Sequence, residues 1–174
     1  PPSKAEKIRQ WGAEVVIEGE VWDDANAAAL IRAERDGLTF VHPFDDPAVI
    51  AGQGTVGREM MKQSSDIDTV IVAIGGGGLI SGVATAVKAM NPDVRVIGVE
   101  PVGAPTLKDS VAAGELITVP KIETAANTLA PRRSADLNLA IIQENVDEIV
   151  LVTDDEMRKA AQWLWFEMGI GAEL

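Results

Sequence analysis

Hydrophobic positions along the chain alternate between two periods, and the switches between them outline an α/β protein. Residues 13–19 (AEVVIEG) read as a short strand, and 23–37 (DDANAAALIRAERDG) as an alanine-rich helix that Gly37 stops. Residues 38–44 (LTFVHPF) read as a second short strand broken at Pro43. The segment 47–63 (PAVIAGQGTVGREMMKQ) starts with proline where a first helical turn tolerates it, and its three glycines imply close packing or close ligand approach. Residues 68–74 (DTVIVAI) and the run VRVIGVE within 91–101 are nearly continuous β-branched stretches, the pattern of central parallel strands covered on both faces. The helix 79–90 (LISGVATAVKAM) between them completes a βαβ unit. APTLKDSVAAGE predicts a short helix ending near Gly114, and TVPKIETAANTLAPRRSADLN reads mostly as loop. DEIVLV then predicts a strand, followed by a helix whose Thr153 and Glu156 match a capping box. The fold class these elements define is α/β: an open, mostly parallel sheet with helices on both faces.

Composition narrows the function. The 174 residues include 27 acidic and 15 basic side chains, a formal net charge of −12. That balance argues against a nucleic-acid partner and against attraction to an anionic membrane. The absence of cysteine removes disulfides, thiolate metal sites and cysteine nucleophiles together, and fits a reducing compartment. With no apolar run long enough to span a bilayer and no signal peptide, the expectation is a cytoplasmic protein. The chain opens PPSKAEK without methionine and stops at GIGAEL directly after a patterned helix, so it reads as part of a longer protein.

The chemistry lies in IGGGGLIS, residues 74–81. A strand that ends in glycines and feeds a helix aims several backbone N–H groups at one place, where the helix dipole adds about half a positive charge. Glycines also let an anion approach the backbone, so the loop reads as a phosphate cradle. A mononucleotide P-loop requires Lys-Ser/Thr after its last glycine, and Leu79-Ile80 stand there instead. The dinucleotide fingerprint is closer: Gly76 and Gly78 take its first two positions, but Ser81 replaces the third glycine or alanine. Glu100, at the end of the next strand, stands roughly where a ribose-binding acid belongs. A solvent-facing strand-end carboxylate is the simpler reading of it.

Three segments, VHPFDDPAVIAGQGTVGREM, DTVIVAIGGGGLISGVATAVKAMNPDVRVIGVEP and VDEIVLVTDDEMRKAAQWLWFEMG, together resemble the serine/threonine dehydratases and serine racemases. These are pyridoxal-phosphate enzymes of the tryptophan-synthase-β-like fold, and the likeness is collinear from about Lys4 to Glu173. It implies that the chain is a fragment of a two-domain protein. Residues 1–44 would be part of a small mobile substrate-side domain, and 45–174 an incomplete cofactor domain. The resemblance further implies that Gly75, Gly76, Gly77, Gly78 and Leu79 bind the cofactor phosphate, with Glu173 near the active site. The implied activity is dehydration of a serine- or threonine-like β-hydroxy amino acid to a 2-keto acid and ammonia. Racemase activity of the same family, or a nicotinamide-dependent oxidoreductase, are the alternatives.

Departures from the family pattern are informative. The Schiff-base lysine belongs to a Ser-x-Lys-x-Arg-Gly motif expected upstream, and none of Lys4, Lys7, Lys62, Lys88, Lys108, Lys121 or Lys159 stands in one. The chain therefore carries no catalytic residue of its own and is expected to be inactive alone. Asn127 and Thr128 stand where relatives often show Asp and Gly, in a loop bordering the cofactor. Some relatives hold a divalent cation through the positions of Glu100, Ala104 and an acid where this chain has Thr106. One carboxylate fewer disfavours a metal. His42 reads as a structural histidine in the hinge segment rather than a base. Trp11, Trp22, Trp163 and Trp165 cannot share one face, so most are expected in the core or in an interface, and a homodimer is expected.

Overall fold

The computed structural model describes residues 2–19 and 22–174. Residues up to Phe40 and residues Val41–Leu174 form two separate compact units.

The first unit contains helices α1 (Pro2–Gln10) and α2 (Trp22–Asp36). Asp23 and Asp24 in the first turn of α2 oppose its dipole favourably. Gly37 adopts φ +65°, which lets Leu38 N donate to Ala33 O at 2.9 Å and close the helix. Arg32 pairs with Glu14 at 2.7 Å and with Asp36 at 3.4 Å, and it holds the Glu14 carboxyl below its usual range. Residues 13–18 form no strand, and neither do 38–44. Both expected strands are corrected here. Their β-branched and aromatic residues favour extended backbone, but a strand exists only as part of a ladder, and neither segment has a partner strand among the described residues. Helix α1 was not legible in the sequence, being short and polar.

The second unit holds the site. Its sheet has three parallel strands in the order β1 (Thr69–Ala73), β2 (Arg95–Pro101) and β3 (Glu148–Val152). Thr69 is in register with Arg95, and Ile97 with Glu148. Between the strands run α4 (Gly78–Met90), α5 (Thr106–Ala113) and α6 (Asp136–Asn145), with α3 (Pro47–Gln63) before the sheet and α7 (Asp154–Met168) after it. Val70, Val72 and Val96 point one sheet face into a core with Ile80, Val83 and Val87 of α4, Leu107 of α5, and Leu139 and Ile142 of α6. The opposite face is covered only in part. Ala73, Val99 and Val152 meet Ala161 and Leu164 of α7 around a cavity of about 220 Å³, while Ile71 remains 68% exposed.

Two helix starts are built as their residues require. Asp46 caps α3 by accepting from Ala48 N at 2.7 Å and Val49 N at 3.4 Å, and the capping box of Thr153 and Glu156 closes on α7. Helix α6 starts in the last three residues of the segment read mostly as loop and runs through residues 139–145, for which no element is expected from sequence. Its apolar residues Leu137, Leu139, Ile141 and Ile142 are spread over more than one face around Asn138, so no single stripe betrays it. Trp11 is 91% exposed, and Trp163 and Trp165 are about as open as Met168 on the last helix, so none of these three lies in the core of this chain.

The glycines of α3 explain how α4 is held. A β-carbon on Gly54 would lie 3.0 Å from Gly82 O, and one on Gly57 2.9 Å from Val83 O. One on Gly82 would lie 2.2 Å from Ile50 O. The two helices therefore touch backbone to backbone, and this contact fixes α4 against α3.

Candidate functional site

Strand β1 ends at Ala73, and Ile74 N still donates to Val99 O at 2.8 Å, so the chain enters the glycine loop from a rigid edge. Four residues later Gly77, at φ +97° and ψ −13°, begins α4, and its carbonyl accepts from Ser81 N at 2.9 Å. No side chain caps this helix, and its first turn carries no acid. The backbone N–H groups from Gly75 through Ile80 donate to no protein acceptor among the described residues. A run of orphan donors at the N-terminus of a 13-residue helix is a site for an anion with several acceptor oxygens.

Each glycine of the loop is also required by its neighbours. A β-carbon at Gly76 would lie 2.1 Å from the Phe44 ring, and at Gly78 2.9 Å from Phe44 Cα. At Gly75 it would lie 3.1 Å from Leu129 Cα, and at Gly77 2.9 Å from Leu107 Cδ1. The segment 41–46 thus lies against the loop from one side, and the 3-10 turn Asn127–Leu129 from another. His42 shapes the first of these: its Nδ1 accepts from Phe44 N at 3.2 Å and from Asp45 N at 2.8 Å, which assigns the ring proton to Nε2. Its ring meets the Phe44 ring edge-on, with centroids 4.6 Å apart. The histidine is structural, as the sequence implied.

Two side chains that sequence reasoning did not find bind the loop's own carbonyl. Ser134 Oγ donates to Gly76 O at 2.8 Å, and Asn138 Nδ2 donates to Gly76 O at 3.1 Å and to Phe44 O at 2.9 Å. Both residues are buried. Neither belongs to a motif near the glycines, so only the fold brings them there.

Glu173 lies in the lining of the cavity between α7 and the sheet, together with Ala73 and Leu129. Leu129 is the residue against Gly75, so this cavity borders the loop. Glu100 is not the solvent-facing carboxylate that its strand-end position implied; it is 1% exposed. Its two oxygens accept from Leu107 N at 2.8 Å and Lys108 N at 2.7 Å, capping α5. Burial raises its pKa to about 7 against the opposing pull of those two N–H groups. A carboxyl raised in the folded state binds more protons than the unfolded chain between the two pKa values. Stability therefore falls as pH rises from about 4.5 to 7, by about 3 kcal/mol in all. In chelator-containing buffer, Glu100→Gln is expected to abolish that slope in urea titrations at pH 5 and pH 8; an unchanged slope would contradict the assignment. Thr106 Oγ1 donates to Pro131 O at 2.9 Å. No cluster of three metal-ligating side chains occurs among the described residues.

Lys88 pairs with Asp147 at 2.9 Å, and Lys108 Nζ donates to Ile149 O at 2.5 Å. Both are committed to the N-terminal end of β3 rather than to the loop.

A parallel sheet with a glycine-rich loop at the C-terminal end of its first strand is shared by several families that bind phosphate-bearing ligands, and comparison with known proteins selects among them. The pyridoxal-phosphate-dependent enzyme family model matches residues 1–174, and the chain belongs to that family. It is 43% identical over 173 residues to the L-threonine ammonia-lyase of Thermotoga maritima, covering 99% of this chain and 43% of that protein. Among solved structures it superimposes on maize serine racemase with a TM-score of 0.94 at 35% identity, covering 99% of this chain and 52% of the other. The processed form of threonine deaminase isoform 2 from Solanum lycopersicum matches with a TM-score of 0.93 at 39% identity, covering 99% and 48%. The chain thus spans about half the length of the relatives it matches, and its fold is that of the serine/threonine dehydratase and serine racemase group.

The residues present fit a pyridoxal phosphate. The donor run from Gly75 to Leu79 matches a phosphate dianion, the glycines leave the backbone bare, and no acid of the first turn competes.

Proposed function

We propose that the full-length protein is a pyridoxal-phosphate-dependent ammonia-lyase that converts threonine- or serine-like β-hydroxy amino acids to 2-keto acids and ammonia. The observation that carries the reading is the run of N–H groups from Gly75 to Leu79 without a protein acceptor, in a chain 43% identical to a threonine ammonia-lyase. When bound, the cofactor supplies an electron sink for the pair left at the substrate α-carbon. This chain's residues bind and orient it: Gly75, Gly76, Gly77, Gly78 and Leu79 hold the phosphate through backbone donors, strengthened by the dipole of α4. Glu173, in the lining of the cavity with Ala73 and Leu129, would lie near the bound cofactor. Phe44 packs against Gly76 and Gly78 and so holds the loop in place.

The segment before Val41 is read as part of a small mobile domain on the substrate side, and the unit Val41–Leu174, to which Phe44 is tied, as part of the cofactor domain. The lysine that holds the cofactor and carries the α-proton is supplied by a segment outside these 174 residues, since no lysine here stands in the required motif. The 174-residue chain alone is therefore inactive. The protein works in the cytoplasm as a homodimer; no helix among the described residues is long and apolar enough to cross a membrane. Exposed Trp163, Trp165 and Phe166 on α7 supply apolar surface for a subunit contact. A bound divalent cation is not part of the reading.

The full-length protein is expected to release 2-keto acid from L-threonine, measured with a coupled reductase, and the 174-residue chain to release none. Conversion of L-serine to D-serine without keto acid, measured by chiral chromatography, would instead select the racemase reading, which the match to maize serine racemase favours as second.

A further inference from the structure

Two side chains far along the chain hold one peptide plane of the glycine loop. Gly77 donates its N–H from the Gly76–Gly77 peptide, whose neighbours on both sides are glycines. A trans peptide carries its C=O and N–H on opposite edges, so whatever fixes the carbonyl of Gly76 aims the N–H of Gly77. Between two glycines such a plane can turn over at little steric cost, because φ and ψ are unrestricted on both sides. Turned over, the same peptide would present a carbonyl oxygen, and a donor for the anion would become a repelling dipole.

The carbonyl is held by two donors. Ser134 Oγ reaches Gly76 O at 2.8 Å and Asn138 Nδ2 reaches it at 3.1 Å, which occupies both of its lone pairs. The next peptide is fixed differently, by the Ser81 N to Gly77 O bond that starts α4. Asn138 is 0% exposed, and its second amide hydrogen goes to Phe44 O at 2.9 Å, tying the covering segment to the same plane. Its Oδ1 has no partner. A buried amide that leaves its oxygen unsatisfied is a poor choice for stability alone, since an apolar side chain of that size would avoid the loss. The two carbonyls its nitrogen serves account for its presence.

We infer that Asn138 and Ser134 are positioning residues that hold the Gly76–Gly77 peptide in its anion-receptive orientation and so set the affinity for the cofactor phosphate. The inference rests on the anchoring role proposed above. The apparent affinity scales with the fraction of molecules whose loop is competent. Releasing the plane therefore weakens binding without touching any group that contacts the anion.

The test uses the full-length protein as wild type, Asn138→Leu, Ser134→Ala and Ser134→Thr. Pyridoxal phosphate is titrated by fluorescence, the phosphate is followed by ³¹P NMR, and thermal midpoints are read without cofactor. Asn138→Leu and Ser134→Ala are each expected to weaken binding about tenfold and to shift the ³¹P resonance; the cofactor-free midpoint stays near wild type in Ser134→Ala and falls in Asn138→Leu, where Phe44 O loses its donor. Ser134→Thr, which keeps the hydroxyl, is expected to restore both affinity and resonance. Wild-type affinity in both Asn138→Leu and Ser134→Ala would overturn the inference while leaving the anchoring role intact. Affinity falling only in step with the thermal midpoint, with no rescue by threonine, would reduce both residues to packing. A wild-type protein that holds no pyridoxal phosphate would overturn the anchoring role and this inference together.

Discussion

Gly77→Val in the full-length protein is expected to lose pyridoxal phosphate on desalting, with affinity reduced more than about 100-fold. Two independent effects act at this residue. Its φ of +97° lies in a region that a β-branched side chain does not adopt without strain. Its β-carbon would also meet Leu107 Cδ1 at 2.9 Å and Asn138 Cβ at 3.1 Å, both on elements packed into the core. The backbone must rotate, and the N–H groups of Gly77 and Gly78 turn with it. Hydrogen bonds to a charged acceptor contribute roughly 1.5–3 kcal/mol each, so losing two accounts for the drop. Absorbance of the bound cofactor that survives desalting unchanged would refute this.

The second large effect lies away from the anion. Gly82→Ala places a β-carbon 2.2 Å from Ile50 O and 2.6 Å from Gly54 N, both backbone atoms of α3 that no rotamer change can move aside. The helices must separate, and the expected loss of stability is about 3 kcal/mol in denaturant titration. Gly52→Ala is the matched control. It sits in the same helix α3 with nothing within 4 Å of the added carbon, and should raise stability by about 0.5–1 kcal/mol through helix propensity. Equal effects at the two positions would mean that the close approach of α3 and α4 does not govern this part of the fold. Because α4 carries the cradle at its N-terminus, Gly82→Ala should also weaken cofactor binding, whereas Gly52→Ala should not.

Much of this architecture was readable from local pattern, and the failures share a cause. The helix over 47–63 agrees with Pro47–Gln63, and the capping box at Thr153 is formed, because both depend on residues within a turn of each other. The strands at 13–19 and 38–44 failed because a ladder needs a partner that these segments lack. Helix α6 was hidden by its mixed faces. At the site, the orphan donors of the glycine run were readable, since unpaired N–H groups at a helix start follow from the chain's own geometry. The parts that hold the cradle were not readable. Asn138 and Phe44 meet across 94 residues of sequence, and Ser134 and Gly76 across 58. Glu100 was misjudged for the same reason: its burial comes from α5 folding back over the strand end, where Leu107 and Lys108 claim its oxygens.

Anchoring of the pyridoxal phosphate by the backbone of residues 75–79 is tested most directly by a crystal structure of the full-length protein grown with the cofactor. The phosphate oxygens are expected within hydrogen-bond distance of the N–H groups of Gly75 to Leu79, with Gly76 O still bound by Ser134 and Asn138. Cofactor bound with its phosphate elsewhere, and a glycine loop empty of any anion, would contradict it.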